Sequence, residues 1–411
     1  MTLAASEALA MHPSKRPRPN DVPPGEVVTE TAPNGFRIFN DYATPERTFS
    51  SRRTVVHYVV LGIDAPPLND DDGNEVPDYV ERIGEAADTA ITYYERREFK
   101  RIRPDTGGPD ARPDLYLSRF APGYFGLALP GWKAEGGAFA ALSNSLDPTA
   151  GVSFASLYGT VAHELFHLVQ FSYYPADADP ALPVWVREGV AAAMESRVYP
   201  DLDDLVTEFN LRHWFAEPDR TIAAHAYGPL LLWRYLDVSS PALLDAFLRR
   251  LAARPGPQDA RDTLVTTYAR LTDKRFADTF ADFAVRVAGD FPDRITPLRR
   301  LATGGRFRGG VAPLAIHYVR LRVPRQGRYA VTVSLPAERG ALRATLVYQL
   351  ESDTPGSPSQ PHRILPRSSN GGTLTFTVPP HVRKSERFFL PTLVVSNGAT
   401  RRSDAYTVSS R

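Results

Sequence analysis

The chain has 411 residues, 43% hydrophobic and 23% charged, with a formal net charge of +1 at pH 7 and no cysteine. Near-zero charge gives no footing for nucleic acid or an anionic membrane surface, and without cysteine there are no disulfides and no thiolate metal ligands. No apolar run approaches the roughly 20 residues of a membrane-spanning helix, and the length exceeds one ordinary core, so two or three domains are expected.

Residues 1–50 are rich in proline, threonine and charge and read as a disordered or extended segment, with Lys15, Arg16 and Arg18 in a solvated tail. Glu7 interrupts the only candidate for a signal-peptide core, although Ala8-Leu9-Ala10 has the small-residue form of a cleavage site. A leader extending upstream of Met1 is therefore one expectation. A β-branched run at 53–61 predicts a strand. Asp70, Asp72, Asn74, Asp78 and Glu81 then fall at positions 1, 3, 5, 9 and 12 of a loop whose position 7, Val76, offers its carbonyl. That is the spacing of an EF-hand-type Ca2+ loop, except that Glu75 stands where the glycine of the sharp turn belongs. The competing reading is an acidic helix start, with Asp78 as N-cap and Glu81 three residues on. Val80, Ile83, Ala87, Ile91 and Tyr94 form one stripe of a helix over 79–98. Short strands are expected at 114–118 and 138–143, the second bordering a cleft.

From 153 to 288 the pattern is helical. His163-Glu164-Leu165-Phe166-His167 spells HExxH inside an apolar run at 157–171. Residues four apart share a helix face, so both imidazoles can point at one ion, and Glu164 can reach a water bound there. A pair of core histidines satisfied by hydrogen bonds is the plainer alternative. A catalytic zinc site needs a third protein ligand. Glu188, 21 positions after His167, opens the next helical run and can supply it; otherwise it is a first-turn carboxylate favoured by the helix dipole. The pattern HExxHxxGxxH fails, because Gln170 and Tyr173 stand where its glycine and third histidine belong. Glu195, seven residues after Glu188, falls on the same helix face and can support the ligands. Further helices are expected near 202–215, 228–237, 241–253, 258–271 and 274–287.

Beyond a Gly-Gly-containing linker at 301–312 the period changes. Tyr329, Val331, Val333 and Leu335 alternate with small polar residues, as do Leu374, Phe376 and Val378, and β-rich runs fall at 315–323, 344–350, 387–395 and 404–408. About six short strands predict a β-sandwich accessory domain over 313–411. The whole reads as α+β: a small mixed sheet with a helical subdomain over 51–300, then the sandwich.

HExxH followed by Trp185-Val186-Arg187-Glu188-Gly189 resembles the gluzincin zinc peptidases, in particular the aminopeptidase-N and leukotriene-A4-hydrolase clan. The resemblance implies Zn2+ held by His163, His167 and Glu188, with Glu164 as general base. The clan's amine-binding motif corresponds to Gly137-Ala138-Phe139-Ala140-Ala141, where Ala140 replaces the glutamate, so an endopeptidase is expected rather than an aminopeptidase. The clan's transition-state tyrosine aligns with His225, two residues before Tyr227, and either can donate to an oxyanion. The acidic loop together with HExxH also resembles a family of predicted secreted bacterial metalloproteases. The resulting expectation is a zinc-dependent, secreted endopeptidase acting on protein or peptide substrates. The competing readings are a non-catalytic, metal-stabilised binding or adhesion module on an inactive protease fold, and a cytoplasmic peptidase.

Overall fold

The computed structural model describes residues 46–103, 110–120, 125–130, 137–145, 154–173, 182–202, 211–212, 214–253, 259–323, 329–336, 341–348, 363–364, 372–378 and 391–411. The expected tail at 1–45, most of the connection at 174–183 and the run at 203–210 lie outside them. The chain is α+β and divides into two compact units, residues 1–210 with 236–260 and residues 211–235 with 261–411. Among the described residues no helix is long and apolar enough to cross a membrane.

The first unit is built on a five-stranded mixed sheet. Its strands are β1 (Arg47–Ser50), β2 (Val55–Tyr58), β3 (Asp114–Ser118), β4 (Gly126–Pro130) and β5 (Ala138–Ser143), in the order β1-β2-β3-β5-β4. β2, β3 and β5 run parallel, and β1 and β4 pair antiparallel at the two edges. The parallel strands are buried along their length, which is why they read as continuous apolar runs without alternation. Two sequence expectations are corrected here. Residues 47–50, assigned to the extended tail, are a strand of this sheet. The segment at 138–143 is an interior strand, because β4, which the pattern did not announce, takes the edge.

Helix α1 (Asp78–Arg96) buries Tyr79, Val80, Ile83, Ala87, Ala90, Ile91 and Tyr94, the expected stripe. Its N-cap is Pro77 with no side-chain cap bond, so Asp78 is the first helical residue and not the cap. Helices α2 (Phe154–Tyr173) and α3 (Val184–Val198) follow. α2 is buried almost all round from Leu157 onward, as a helix with no polar face must be. α1 fixes it laterally. The Tyr94 hydroxyl donates to the Ala162 carbonyl at 2.7 Å, and the Tyr94 and Phe99 rings meet Phe166 edge-on at 5.3 and 5.2 Å.

The chain continues through α4 (Leu230–Ser239), α5 (Leu243–Ala252), α6 (Ala260–Thr272) and α7 (Phe276–Asp290). The second unit carries two sheets. One comprises β6 (Arg299–Leu301), β8 (Ala315–Leu321), β10 (Leu342–Tyr348), β11 (Arg363–Ile364) and β13 (Thr392–Asn397). The other comprises β7 (Arg306–Val311), β9 (Tyr329–Leu335), β12 (Gly372–Val378) and β14 (Asp404–Ser410). Inward residues of both sheets, among them Val319, Val331, Leu346, Leu393, Tyr406 and Val408, share one core. The opposite face of the first sheet takes α7: the Tyr318 hydroxyl donates to Ala284 O, and Arg343 Nε donates to Asp278 Oδ1 at 2.7 Å. The stretch at 301–312, expected as a linker, holds the end of β6 and all of β7. Its glycine at 309 serves packing, because a Cβ there would lie 2.6–2.9 Å from the Tyr406 ring.

Candidate metal centre

A fully buried helix must satisfy its polar side chains internally. α2 carries four of these in a row of turns, His163, Glu164, His167 and Gln170, all buried. The one-turn spacing sets the imidazoles of His163 and His167 with centroids 4.7 Å apart and planes at 83°. α3, starting after Pro183, brings in Glu188. Its Oε2 lies 3.3 Å from His163 Nε2 and 3.4 Å from His167 Nε2. Tetrahedral zinc with ligands at roughly 2.0–2.1 Å separates ligand atoms by about 3.3 Å. Two neutral nitrogens and one carboxylate oxygen at this spacing therefore fit such an ion. Among the described residues this trio is the group that could hold a metal, its ligand atoms all within 4.8 Å of one another.

The far side of each ligand is also held. His163 Nδ1 is 2.6 Å from Glu195 Oε1, so the structure brings Glu195 to the site. His167 Nδ1 is 2.8 Å from Gln170 Oε1, whose amide donates to the Arg187 carbonyl at 3.0 Å. Arg187 Nε donates to Glu188 Oε1 at 2.8 Å, leaving Oε2 to face the two rings. Glu164 lies one residue from His163, and its carboxylate accepts the Ala128 N–H of β4. The close approach of strand and helix needs Gly126, where a Cβ would lie 2.6 Å from Glu164 Cγ and 2.8 Å from Thr160 Cγ2.

These contacts set the charges. Burial alone would lower the His163 pKa, but hydrogen bonds to Glu188 and Glu195 lift it well above the usual value. Burial opposes ionisation of Glu188, yet the charge of His167 and the bonds to both rings hold it well below the carboxylate range. Glu164 and Glu195 are pushed up by burial, which outweighs the pull of the neighbouring histidines. A carboxyl buried beside a metal-competent cluster is placed to take up a proton there.

The remaining sequence candidates belong to other elements. His225 and Tyr227 belong to the second unit, where buried His225 closes a 3-10 turn (Ile222–Ala224) and Tyr227 O accepts the Leu230 N–H. In the acidic loop, Asp70 accepts backbone N–H groups of Gly73, Asn74 and Glu75, Asn74 Nδ2 donates to Asp72 and Glu81, and Asp78 accepts the Asp71 N–H. Its side-chain oxygens are thus bonded to the loop itself. Glu75 takes φ +68°, the conformation that a glycine at this position would adopt freely. The residues that sequence reasoning missed are Gln170 and the β4 edge. Gln170 was visible only as the third residue after His167, on the same face.

Comparison with protein-family models and with curated proteins found no match. Among solved structures, the pre-peptidase C-terminal domain of a collagenase from Bacillus anthracis is similar at 10% identity and a TM-score of 0.19, covering 28% of this chain and 97% of that one. That likeness is too slight to bear on fold or function.

Proposed function

We propose that the first unit is a zinc-dependent peptidase of the gluzincin kind, acting as an endopeptidase on extended peptide segments. The observation that carries this is the position of Glu164: a buried carboxyl one residue from a metal-competent trio and not part of it. A site serving only structure has no use for such a group. Zinc bound to His163, His167 and Glu188 would supply a Lewis acid for the scissile carbonyl and lower the pKa of water toward neutrality. Glu164 would take that water's proton and deliver it to the leaving amine. Glu195 and Gln170 keep the two Nδ1 atoms occupied, so that Nε2 of each ring faces the ion.

β4 favours peptide as the substrate class. Among the described residues only β5 pairs with it, so its other edge can accept an extended chain beside Glu164. Ala140 lies on the interior strand β5, and the edge strand β4 carries no carboxylate from Gly126 to Pro130, which favours internal bonds over free amino termini. The test is hydrolysis of casein or a peptide library by the full chain, with and without a chelator. Glu164→Gln should keep one zinc per chain and lose hydrolysis. Hydrolysis that survives in this variant removes Glu164 as the base. A wild-type protein that binds zinc and cleaves nothing is the non-catalytic binding module instead.

A further inference from the structure

We propose that Gln170 is a positioning residue for this metal centre, closing a ring of contacts that ties α2 to α3. The inference rests on the zinc reading above and adds to it a residue that no motif marks. The ring runs from His167 Nδ1–H to Gln170 Oε1 (2.8 Å), from Gln170 Nε2–H to Arg187 O (3.0 Å), from Arg187 Nε–H to Glu188 Oε1 (2.8 Å), and from Glu188 Oε2 back to His167 Nε2 (3.4 Å).

Each member restricts the next. The Arg187 carbonyl can only accept, so the Gln170 amide must turn its NH2 toward α3 and its oxygen toward His167. An amide oxygen can only accept, so His167 Nδ1 must carry the proton. Its Nε2 lone pair is thereby committed to the same point as that of His163, which Glu195 fixes in the corresponding way. On the other side, Arg187 occupies Oε1 of Glu188 and leaves Oε2 for the rings. Arg187 serves twice, through its carbonyl and through its guanidinium, so one backbone position sets both a histidine tautomer and a carboxylate orientation. Gln170 is buried and both ends of its side chain are bonded, so its orientation is determined by the fold. A residue that served packing alone would have no need of an amide here, since a methionine would fill the same volume.

The test is zinc affinity of the full-length chain, measured by competition with a fluorescent chelator, together with the absorption spectrum of the Co2+-substituted protein and the melting temperature of metal-free protein. Gln170→Met, nearly isosteric and unable to hydrogen-bond, should weaken zinc binding about 10- to 100-fold and shift the Co2+ bands. Gln170→Glu keeps an acceptor on Nδ1 but, ionised, turns a second acceptor toward the Arg187 carbonyl, so zinc affinity should fall about ten-fold. A Gln170→Met protein that binds zinc as tightly as wild type, with an unchanged Co2+ spectrum, overturns the role. If Gln170→Met does not fold, Gln170→Glu decides: a ten-fold loss sustains the proposal and affinity within about three-fold of wild type overturns it. A wild-type chain that binds no zinc overturns both this inference and the reading beneath it, whereas wild-type binding matched by Gln170→Met removes Gln170 alone.

Discussion

On the peptidase proposed above, Gly126→Ala should disable hydrolysis while leaving zinc binding in place. The added Cβ would sit 2.6 Å from Glu164 Cγ, 2.8 Å from Thr160 Cγ2 and 3.1 Å from Glu164 Cδ, against a comfortable carbon–carbon separation of roughly 3.5–4.0 Å. Strand or side chain must therefore give way by about 1 Å. Glu164 cannot swing into solvent, because it is buried and bonded to the Ala128 N–H. Overpacking of this kind costs about 1–3 kcal/mol, of which the stiffer alanine backbone returns about 0.4–1 kcal/mol. A reacting group misplaced by about 1 Å loses on the order of 100-fold in rate, near 2.7 kcal/mol of barrier. The assay is kcat/KM on a peptide substrate beside zinc stoichiometry and thermal melting. The expected result is a loss of about 100-fold in kcat/KM at full zinc content. A double-mutant cycle locates the clash: in a Glu164→Ala background the same methyl should cost markedly less stability. Wild-type kcat/KM in Gly126→Ala, or an equal stability cost in both backgrounds, would refute the reasoning.

Other outcomes follow from groups away from the metal trio. In the sheet, His57 Nε2 lies 3.0 Å from Asp114 Oδ1 and Nδ1 meets the Glu46 carboxylate. Burial alone would lower its pKa, but these bonds raise it above the ordinary value of about 6.5. The folded state therefore binds this proton more tightly than the unfolded state. The stabilisation is complete below about pH 6.5 and is lost as pH rises through the folded-state pKa. Melting temperature should fall over that range in wild type and flatten in His57→Gln; parallel curves would show that His57 does not titrate there. Glu75→Gly, at φ +68° in the exposed acidic loop, should raise stability by about 0.5–1 kcal/mol by denaturant titration, since glycine carries no left-handed penalty. Lowered stability in that variant would mean that the Glu75 side chain makes a contribution beyond its backbone.

The metal trio was legible because α2 is long, apolar and interrupted by histidines at the one spacing that puts them on a common face. Glu188 was legible from its distance to His167 and the helical run that starts with Val184. What the pattern hid was the strand beside them. β4 is five residues long, begins with glycine and ends with proline, and lacks the two-residue alternation by which a half-buried strand announces itself. β5, apolar on both faces, looked like a cleft border when it is an interior strand held between β3 and β4. Likewise Gly309-Gly310 imitated a linker, although one of these glycines makes room for the Tyr406 ring inside a sheet. Gln170 was hidden for a different reason. Its role depends on where the Arg187 carbonyl arrives from another helix, which no local spacing encodes.

The outer edge of β4 also has a cost in crowded solution. Among the described residues only β5 pairs with this strand, and although Glu164 takes the Ala128 N–H, such an edge can add an extended segment, including one from a second copy of the same protein. Only five residues long and closed by Pro130, the edge can hold a short stretch of foreign backbone but gives little purchase for a growing fibre. Concentrated stocks should accordingly associate weakly and reversibly, and a tight peptide inhibitor seated along that side should double as a solubiliser.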